Sequence, residues 1–384
     1  MSERELRERL AAIELPGEQG ARGRAAAAAA AAHAQRPPWR PAPARRRLVP
    51  AGAVALALSL SAVALATTRP GHAVTHWIDD VFSAPAVTQP RDRLPARGSV
   101  LAIGARGPFV LGAGGGRHAL GRYSDAVWSP HGLYVAAVRG RQLAAVDPHG
   151  AVHWVLTAAG PVADPRWSPD GFRIAYRAGA RLRVVAGDGS GDRVAGRAVA
   201  AVAPAWRPGR AHALAFLTAR GGLLLGRPDR GTAYLMADGL AAVRWIGWAG
   251  PHRLLAASPG TLTAIAAGVL SDAERRRERT WHAPSGATIA SAAVSPTARH
   301  VALLVQRAGV TRVVLLGSAL AGRPRVLLAV HGALAGLAWS PDGRWLVAQQ
   351  PRRSRWLLVP TSPGLRVRAL PGLDGRVGGW CCVR

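Results

Sequence analysis

The chain contains no lysine and only two cysteines among its 384 residues. The cysteines, Cys381 and Cys382, are neighbours, so they cannot form the disulfide framework that holds small secreted domains together. We expect either a vicinal disulfide or two small buried side chains in a strand. Cysteine usage therefore leaves the redox compartment of the protein open.

The absence of lysine makes all 50 basic residues arginine, against 21 acidic residues and a formal net charge of +29. Residues 98–384 hold 36 of the arginines and 13 of the acidic residues. A surface of this charge attracts anionic lipid, polyanionic envelope polymers or nucleic acid. The alternative is that a biased composition has simply replaced lysine by arginine. No nucleic-acid recognition motif is present, so nucleic acid is not an expected partner.

Motifs of common catalytic and cofactor sites are also missing. There is no Gly-x-Ser-x-Gly nucleophile elbow, and the glycines at 114–116 lack the Gly-Lys-Ser/Thr of a phosphate-binding loop. His149 and His153 are four residues apart, but a hairpin turn is predicted there instead of a helix. Residues 188–192, Asp-Gly-Ser-Gly-Asp, lack the ligand spacing and closing glutamate of a calcium loop. We predict no catalytic, cofactor or metal site, although a site built from separate loops would leave no such spacing.

One long apolar run, residues 48–68, has 21 residues without a charge, which is enough to cross a bilayer as a helix. Three arginines at 45–47 precede it directly, and Arg69 is the only arginine in the 20 residues that come after it. This asymmetry predicts a single-pass protein of the cell membrane, with a cytoplasmic N-terminus and an extracytoplasmic remainder. The alternative is a secretory signal that is cleaved after Ala66.

The segments around this run have their own predicted roles. Residues 1–47 are a cytoplasmic tail, in which a short amphipathic helix at 2–14 is followed by an Ala-, Pro- and Arg-rich linker. Such a helix is marginal alone, but it could dock a cytoplasmic partner. Residues 69–97 are a juxtamembrane stalk, and residues 98–384 are the folded domain.

A five-residue motif, Trp-Ser-Pro-Asp-Gly, occurs at 167–171 and again at 339–343. Proline presets the backbone of a tight turn, aspartate can bond its own backbone, and glycine takes a positive φ at no steric cost. Residues 172–176 come after the first copy, and their alternation predicts a half-buried strand. The unit is therefore strand, tryptophan, turn and strand. The turn residues with this predicted structural role are Asp170, Gly171, Asp342 and Gly343.

Looser versions of the unit recur about every 42 residues, a spacing that suits one four-stranded propeller blade. The sequence ends on a strand and a tryptophan with no blade after them, whereas residues 99–120 supply strands with no tryptophan before them. Joining the two ends completes one blade and closes the ring. We predict an all-β, seven-bladed propeller, with six blades as the alternative count. The tryptophans expected to pack between blades are Trp128, Trp167, Trp206, Trp248, Trp339 and Trp380, with Val294 at the remaining position.

The motif, an apolar strand and then the Asp-Gly-Ser-Gly of residues 188–191 together resemble the WD40-like (PD40) propeller repeat of TolB-type proteins. The resemblance covers roughly residues 98–384. It implies a β-propeller that serves as an interaction platform, and it supplies no catalytic residue. The TolB protein of this group is six-bladed and periplasmic, whereas this chain counts to seven blades and carries a predicted membrane span.

These features predict a membrane-anchored, extracytoplasmic propeller that binds a protein or an anionic envelope ligand. One alternative is an envelope hydrolase or lactonase-type enzyme with its site at the mouth of the central channel. Another is a transmembrane regulator that acts through the short cytoplasmic tail. Convergent acids or histidines along the channel would favour the enzyme, whereas an arginine-rich or apolar face would favour binding.

Overall fold

The computed structural model describes residues 93–209, 212–267 and 279–382. Among these residues no helix is long and apolar enough to cross a membrane. The predicted tail at 1–47 and span at 48–68 lie outside the described residues, as does the stalk as far as residue 92. The described ranges contain the end of the stalk and most of the predicted propeller domain.

The described residues form seven antiparallel sheets of four strands, which we call blades 1 to 7. The strands of a blade are lettered a to d from the innermost outwards. Blade 1 consists of β28 (Arg376–Cys381), β1 (Ser99–Gly104), β2 (Gly107–Gly112) and β3 (Arg117–Ala119). Blade 2 consists of β4 (Asp125–Trp128), β5 (Val135–Arg139), β6 (Gln142–Val146) and β7 (Val152–Thr157). Blade 3 consists of β8 (Val162–Trp167), β9 (Arg173–Ala178), β10 (Arg181–Ala186) and β11 (Arg193–Arg197).

The other four blades come next in chain order. Blade 4 consists of β12 (Ala205–Trp206), β13 (Leu214–Leu217), β14 (Leu223–Arg227) and β15 (Thr232–Ala237). Blade 5 consists of β16 (Trp245–Trp248), β17 (Arg253–Ala257), β18 (Thr261–Ala266) and β19 (Arg279–His282). Blade 6 consists of β20 (Thr288–Val294), β21 (His300–Arg307), β22 (Val310–Gly317) and β23 (Arg325–His331). Blade 7 consists of β24 (Ala335–Trp339), β25 (Trp345–Gln350), β26 (Arg355–Pro360) and β27 (Arg368–Pro371).

The blades form a closed ring. Each innermost strand contacts that of the next blade, in the order β4, β8, β12, β16, β20, β24, β28 and back to β4. The C-terminal strand β28 pairs antiparallel with β1, with Trp380 opposite Val100. An ion pair of 3.2 Å joins Arg376 of β28 to Asp125 of blade 2. The predicted split blade and the count of seven are confirmed, and the alternative count of six is wrong.

The middle strands of the blades are buried on both faces, because a neighbouring blade covers each side. All six residues of β25 are buried, for example. The half-buried strand predicted for residues 172–176 is therefore wrong. Strand β9 begins only at Arg173, and its residues 174–176 are fully buried, whereas Phe172 precedes the strand and is 72% exposed. Continuous apolar runs are typical of strands that are covered on both faces.

Successive antiparallel strands place their turns alternately at two opposite faces of the ring. The a–b and c–d turns lie on one face, which we call the ab face. The b–c turns and the connections between blades lie on the other, which we call the bc face. Turns carry the side chains that are free to contact a ligand, since the strands are used in packing.

Candidate binding site

The anchor tryptophans stand at or next to the ends of the innermost strands and lie between neighbouring blades. Five of the six are no more than 9% exposed, and Trp128 is half-buried. In three of them the indole N–H donates to a backbone carbonyl of the preceding blade at 2.9 Å: Trp206 to Arg166, Trp248 to Ala205, and Trp339 to Ala293. Burial of so large a side chain at a blade boundary stabilises the ring.

The turn of the first motif copy is held by its own side chains. The Asp170 carboxylate accepts hydrogen bonds from the Ser168 hydroxyl at 2.6 Å and from the backbone N–H of Phe172 at 3.1 Å. Gly171 has a φ of 79°, in the left-handed region that favours glycine. The second copy repeats these bonds and this conformation with Ser340, Asp342, Gly343 and Arg344. In both copies the residue after the glycine is left exposed on the ab face.

A cleft of about 530 Å³ opens on the ab face between blades 2 and 3. It is lined by Tyr134 and His153 from blade 2 and by Phe172 from blade 3, with the more buried Trp154 and Trp167 alongside. The rings of Tyr134 and His153 meet edge to face, with their centroids 4.9 Å apart. A concave, mostly aromatic surface with a few polar groups is typical of a binding site. We call it the aromatic cleft.

Glycines in the c–d hairpin of blade 3 allow the aromatic cleft to form. The indole N–H of Trp154 crosses the blade boundary and donates to the carbonyl of Gly187 at 2.9 Å. A Cβ atom at Gly189 would lie 2.8 Å from the Trp154 ring, and one at Gly187 would lie 2.9 Å from the carbonyl oxygen of Gly171. The hairpin at 187–191 therefore packs directly against Trp154 and the motif turn, and residues larger than glycine at 187 and 189 would prevent this packing.

Apolar side chains around the aromatic cleft are highly exposed. Phe172 is 72% exposed, Leu133 is 55% exposed and Tyr134 is 37% exposed, all of them in a–b turns. A single exposed apolar residue is ordinary, but a group of them around a cleft indicates an interaction site.

Beside the aromatic cleft, Asp170 also bonds to the next blade. Its second carboxylate oxygen lies 2.5 Å from Nε2 of His212, whose Nδ1 lies 3.3 Å from Asp229. Asp229 in turn pairs with Arg173 at 3.1 Å and with Arg193. Burial alone would raise the pKa of Asp170, but the hydrogen bonds from its own turn and from His212 outweigh burial and lower that pKa. This network ties blade 3 to blade 4.

The acidic side chains of the described innermost strands each have an arginine partner. Asp125 of β4 pairs with Arg376 at 3.2 Å, and Asp164 of β8 pairs with Arg177 at 2.7 Å. Burial lowers the pKa of Arg166, which also stands on β8, while the two aspartates oppose that shift. Each of these acids therefore has its own arginine partner, and both also act on Arg166.

The two histidines that are four residues apart in sequence, His149 and His153, lie at different places. His149 packs against His118, with the ring centroids 5.0 Å apart, whereas His153 packs against Tyr134 in the aromatic cleft. The hairpin turn expected at residues 147–150 is present, since the Asp147 carboxylate accepts hydrogen bonds from the backbone N–H groups of residues 149 and 151. In the described part of the chain, no group of three or more His, Cys, Asp or Glu is arranged to hold a metal ion.

The two aspartates of residues 188–192 accept hydrogen bonds from other residues of blade 3. Asp188 accepts from the backbone N–H of Ser190 at 2.9 Å and from its hydroxyl at 2.7 Å, and these bonds lower the pKa of Asp188. Asp192 accepts from the Arg183 guanidinium at 2.6 Å and from the Tyr176 hydroxyl at 2.8 Å. Burial, together with the Asp192 carboxylate, raises the pKa of Tyr176. The aspartates therefore fix the hairpin.

The adjacent cysteines lie where β28 ends. Cys381 and Cys382 form a disulfide. Of the two alternatives left open by the sequence, the structure therefore has the vicinal disulfide. They border a small cleft of about 280 Å³, together with His118 and His149.

The sequence did not single out the exposed side chains of the aromatic cleft. Phe172 stands directly after Gly171, and Tyr134 stands two residues after the glycine of the corresponding turn in blade 2. One signal for the cleft was available in the sequence. Phe172 is a large aromatic residue at the turn position where the second motif copy has Arg344. Local spacing could not show that Tyr134 and Phe172, which lie in different blades, line one cleft.

Comparison with known proteins bears on the fold. No protein-family model matches the chain, and no curated protein matches it. The β-propeller domain of Cps50 (Swd1) from Myceliophteria thermophila is similar, with a TM-score of 0.51 and 16% identity over 67% of this chain and 89% of that one. Hydrazine synthase from Kuenenia stuttgartiensis gives a TM-score of 0.49 and 13% identity over 61% of this chain and 75% of that one. The described residues of the chain form a seven-bladed β-propeller, and the propeller domain of Cps50 (Swd1) is similar to it in structure.

Proposed function

We propose that the protein is a binding platform and that the aromatic cleft is its main contact site. The exposure of Phe172 carries this proposal, because 72% of a large aromatic side chain stands in water beside a cleft lined by Tyr134 and Trp154. Burying such a side chain against a partner would contribute about 1.5–3 kcal/mol. Aromatic residues next to a pocket are the usual energetic centres of protein interfaces.

The partner that suits this cleft is a protein segment with at least one large apolar side chain. A cleft of about 530 Å³ holds a few side chains, and most of its lining is aromatic or aliphatic. Polar contacts come from Tyr134, His153 and the carboxylate of Asp188 at its edge. These groups would orient the segment by hydrogen bonds while the rings supply most of the affinity.

We place the platform outside the cell membrane, held there by residues 48–68. The uncharged length of this run, the arginines at 45–47 and the resemblance to TolB-type repeats support that placement. The partner then belongs to the cell envelope, where the basic propeller also suits anionic polymers. The arginine partners of Asp125 and Asp164 favour binding over hydrolysis at the channel, since acid–base catalysis needs carboxylates that reach the substrate.

Proximity labelling in cells that make the protein tests this proposal. A labelling enzyme is joined to the C-terminus through a flexible linker, and the proteins labelled by the parent are compared with those labelled by Tyr134→Ala/Phe172→Ala. We expect labelling of one envelope protein, or of a small set, to fall by about tenfold or more, because each truncated hot-spot aromatic costs about 2 kcal/mol of binding.

The matched control is Tyr234→Ala/Leu235→Ala on strand β15. These two apolar side chains are 51% and 57% exposed, but they lie in blade 4, outside the aromatic cleft. The control should label the same proteins as the parent. An equal loss in both variants, or no loss in either, contradicts a role for the cleft. Labelling of cytoplasmic proteins alone contradicts the topology.

A further inference from the structure

A second concave surface lies on the bc face, between blades 1 and 2. It is a groove of about 490 Å³ whose charged lining consists of Arg106, Arg122 and Arg139, with Tyr123 and Ser124 between them. All three arginines are exposed. We call this surface the arginine groove. It is separate from the aromatic cleft, which opens on the ab face.

The backbone holds two of these arginines close together. Gly107 comes after Arg106 in the b–c turn of blade 1, and it has a φ of 111°. A Cβ atom there would lie 2.1 Å from the carbonyl oxygen of Gly121 and 3.3 Å from the Cα atom of Arg122. Only glycine permits this approach of the turn to the connection between the blades. The packing of the two backbones therefore places Arg106 beside Arg122.

The third arginine is oriented by its neighbours. The Nε and Nη2 atoms of Arg139 donate to the side-chain oxygen of Gln142 at 3.3 and 3.0 Å. Its guanidinium also lies over the ring of Tyr123, 5.8 Å from the centroid. A guanidinium held in this way loses less conformational freedom when it binds an anion.

Nothing acidic lines the arginine groove among the described residues, and none of its three arginines forms an ion pair there. The nearest acid along the chain is Asp125, which already pairs with Arg376. Three guanidinium groups that line one groove carry like charges, and a bound anion would offset their mutual repulsion.

We propose that the arginine groove binds a phosphate group. Guanidinium forks match the oxygen geometry of phosphate, and a dianion can be shared among several of them. Phosphate of this kind occurs in lipid headgroups and in soluble phosphorylated molecules, and both present the same oxygens to the groove. This proposal does not depend on the aromatic cleft or on its protein partner.

Calorimetric titration of the full chain tests the groove, in a maltoside detergent that contains no phosphate. The probes are inorganic pyrophosphate and the soluble lipid dihexanoyl-phosphatidylglycerol. The variant is Arg106→Gln/Arg122→Gln, whose exposed side chains can be shortened without opening the core. The control is Arg181→Gln/Arg197→Gln, which removes the same amount of positive charge as the groove variant. These two arginines are exposed and lie opposite each other on strands β10 and β11.

We expect the parent to bind at least one probe and the groove variant to bind it at least about tenfold more weakly, while the control stays within about twofold of the parent. Tighter binding of the lipid would identify a headgroup, and tighter binding of pyrophosphate would identify a soluble phosphate. The proposal is overturned if the parent binds neither probe, if the groove variant binds like the parent, or if the control weakens as much. Labelling through the aromatic cleft is a separate readout, so failure of one proposal leaves the other standing.

Discussion

The two copies of Trp-Ser-Pro-Asp-Gly, at 167–171 in blade 3 and 339–343 in blade 7, fold into the same turn but have different surroundings. Trp339 donates its indole N–H to the preceding blade, whereas the buried N–H of Trp167 has no partner among the described residues. The exposed residue after the turn is Phe172 in the first copy and Arg344 in the second. Only the first copy borders the aromatic cleft.

This comparison of the two copies distinguishes the residues of the repeat that have a structural role from those that are available for binding. The aspartate and the glycine form the same turn in both blades, and the tryptophan is buried between blades in both, so the residues that recur hold the ring together. The residue directly after the motif differs between the copies, faces solvent in both, and decides what each turn offers to a partner. Function in this propeller is therefore expected at positions that break the repeat.

The largest expected effect comes from removing residues 376–384. Without β28, β1 has an unpaired edge, and the apolar face of blade 7 that packs against Trp380 and Leu94 is uncovered. The second motif copy borders this gap, whereas blade 2 separates the first copy from it. Amide hydrogen exchange should therefore increase in blade 7 more than in blade 3, together with aggregation or a large fall in melting temperature.

That prediction has a definite contrary result. A truncated protein that melts like the parent, with unchanged exchange in blade 7, would show that β28 does not close the ring. Equal amide hydrogen exchange in blades 3 and 7 would show that the two motif copies depend equally on the pairing of β28 with β1.

The next effect is the truncation of the anchor tryptophans. Trp167→Ala and Trp339→Ala each remove a large buried side chain between blades and should each cost about 3–5 kcal/mol in the free energy of unfolding. Trp339→Ala also removes a hydrogen bond to Ala293, so it should cost about 1 kcal/mol more than Trp167→Ala. Denaturant titration of both variants checks the ranking, and an Ala variant as stable as the parent would remove the structural role given to these residues.

A smaller effect concerns Asp170, whose carboxylate bonds to His212 of the next blade. Its pKa is lowered in the folded protein, so its ionisation stabilises the fold at pH values above its ordinary range, and this contribution is lost as the pH falls through the lowered value. Asp170→Asn should cost about 0.5–1 kcal/mol near pH 7. The melting temperatures of variant and parent should converge as the pH is lowered through and below the lowered pKa of Asp170. A constant difference at every pH would contradict this role of the charge.

Much of the fold could be predicted because its signals are local. A few adjacent residues are enough to recognise each of these signals. They are the turn chemistry of Pro, Asp and Gly, the repeated tryptophans, and the unpaired strands at the two ends of the sequence. The half-buried strand at 172–176 was mispredicted because alternation cannot show that a second blade covers the other face. The aromatic cleft was not predicted because Tyr134 and Phe172 line one cleft only when blades 2 and 3 pack side by side.

We expect binding to depend on the exposed residue that differs between the two motif copies. The most direct test of this expectation places a photoreactive amino acid, p-benzoylphenylalanine, at position 172 or at position 344. Both positions come directly after the glycine of the same turn and both are exposed, so the two variants should fold alike. After irradiation of cells that make the protein, we expect a discrete covalent adduct from position 172, which is lost when Tyr134 is replaced by alanine, and none from position 344. Equal adducts from both positions, or an adduct from 344 alone, would contradict the assignment of binding to the aromatic cleft.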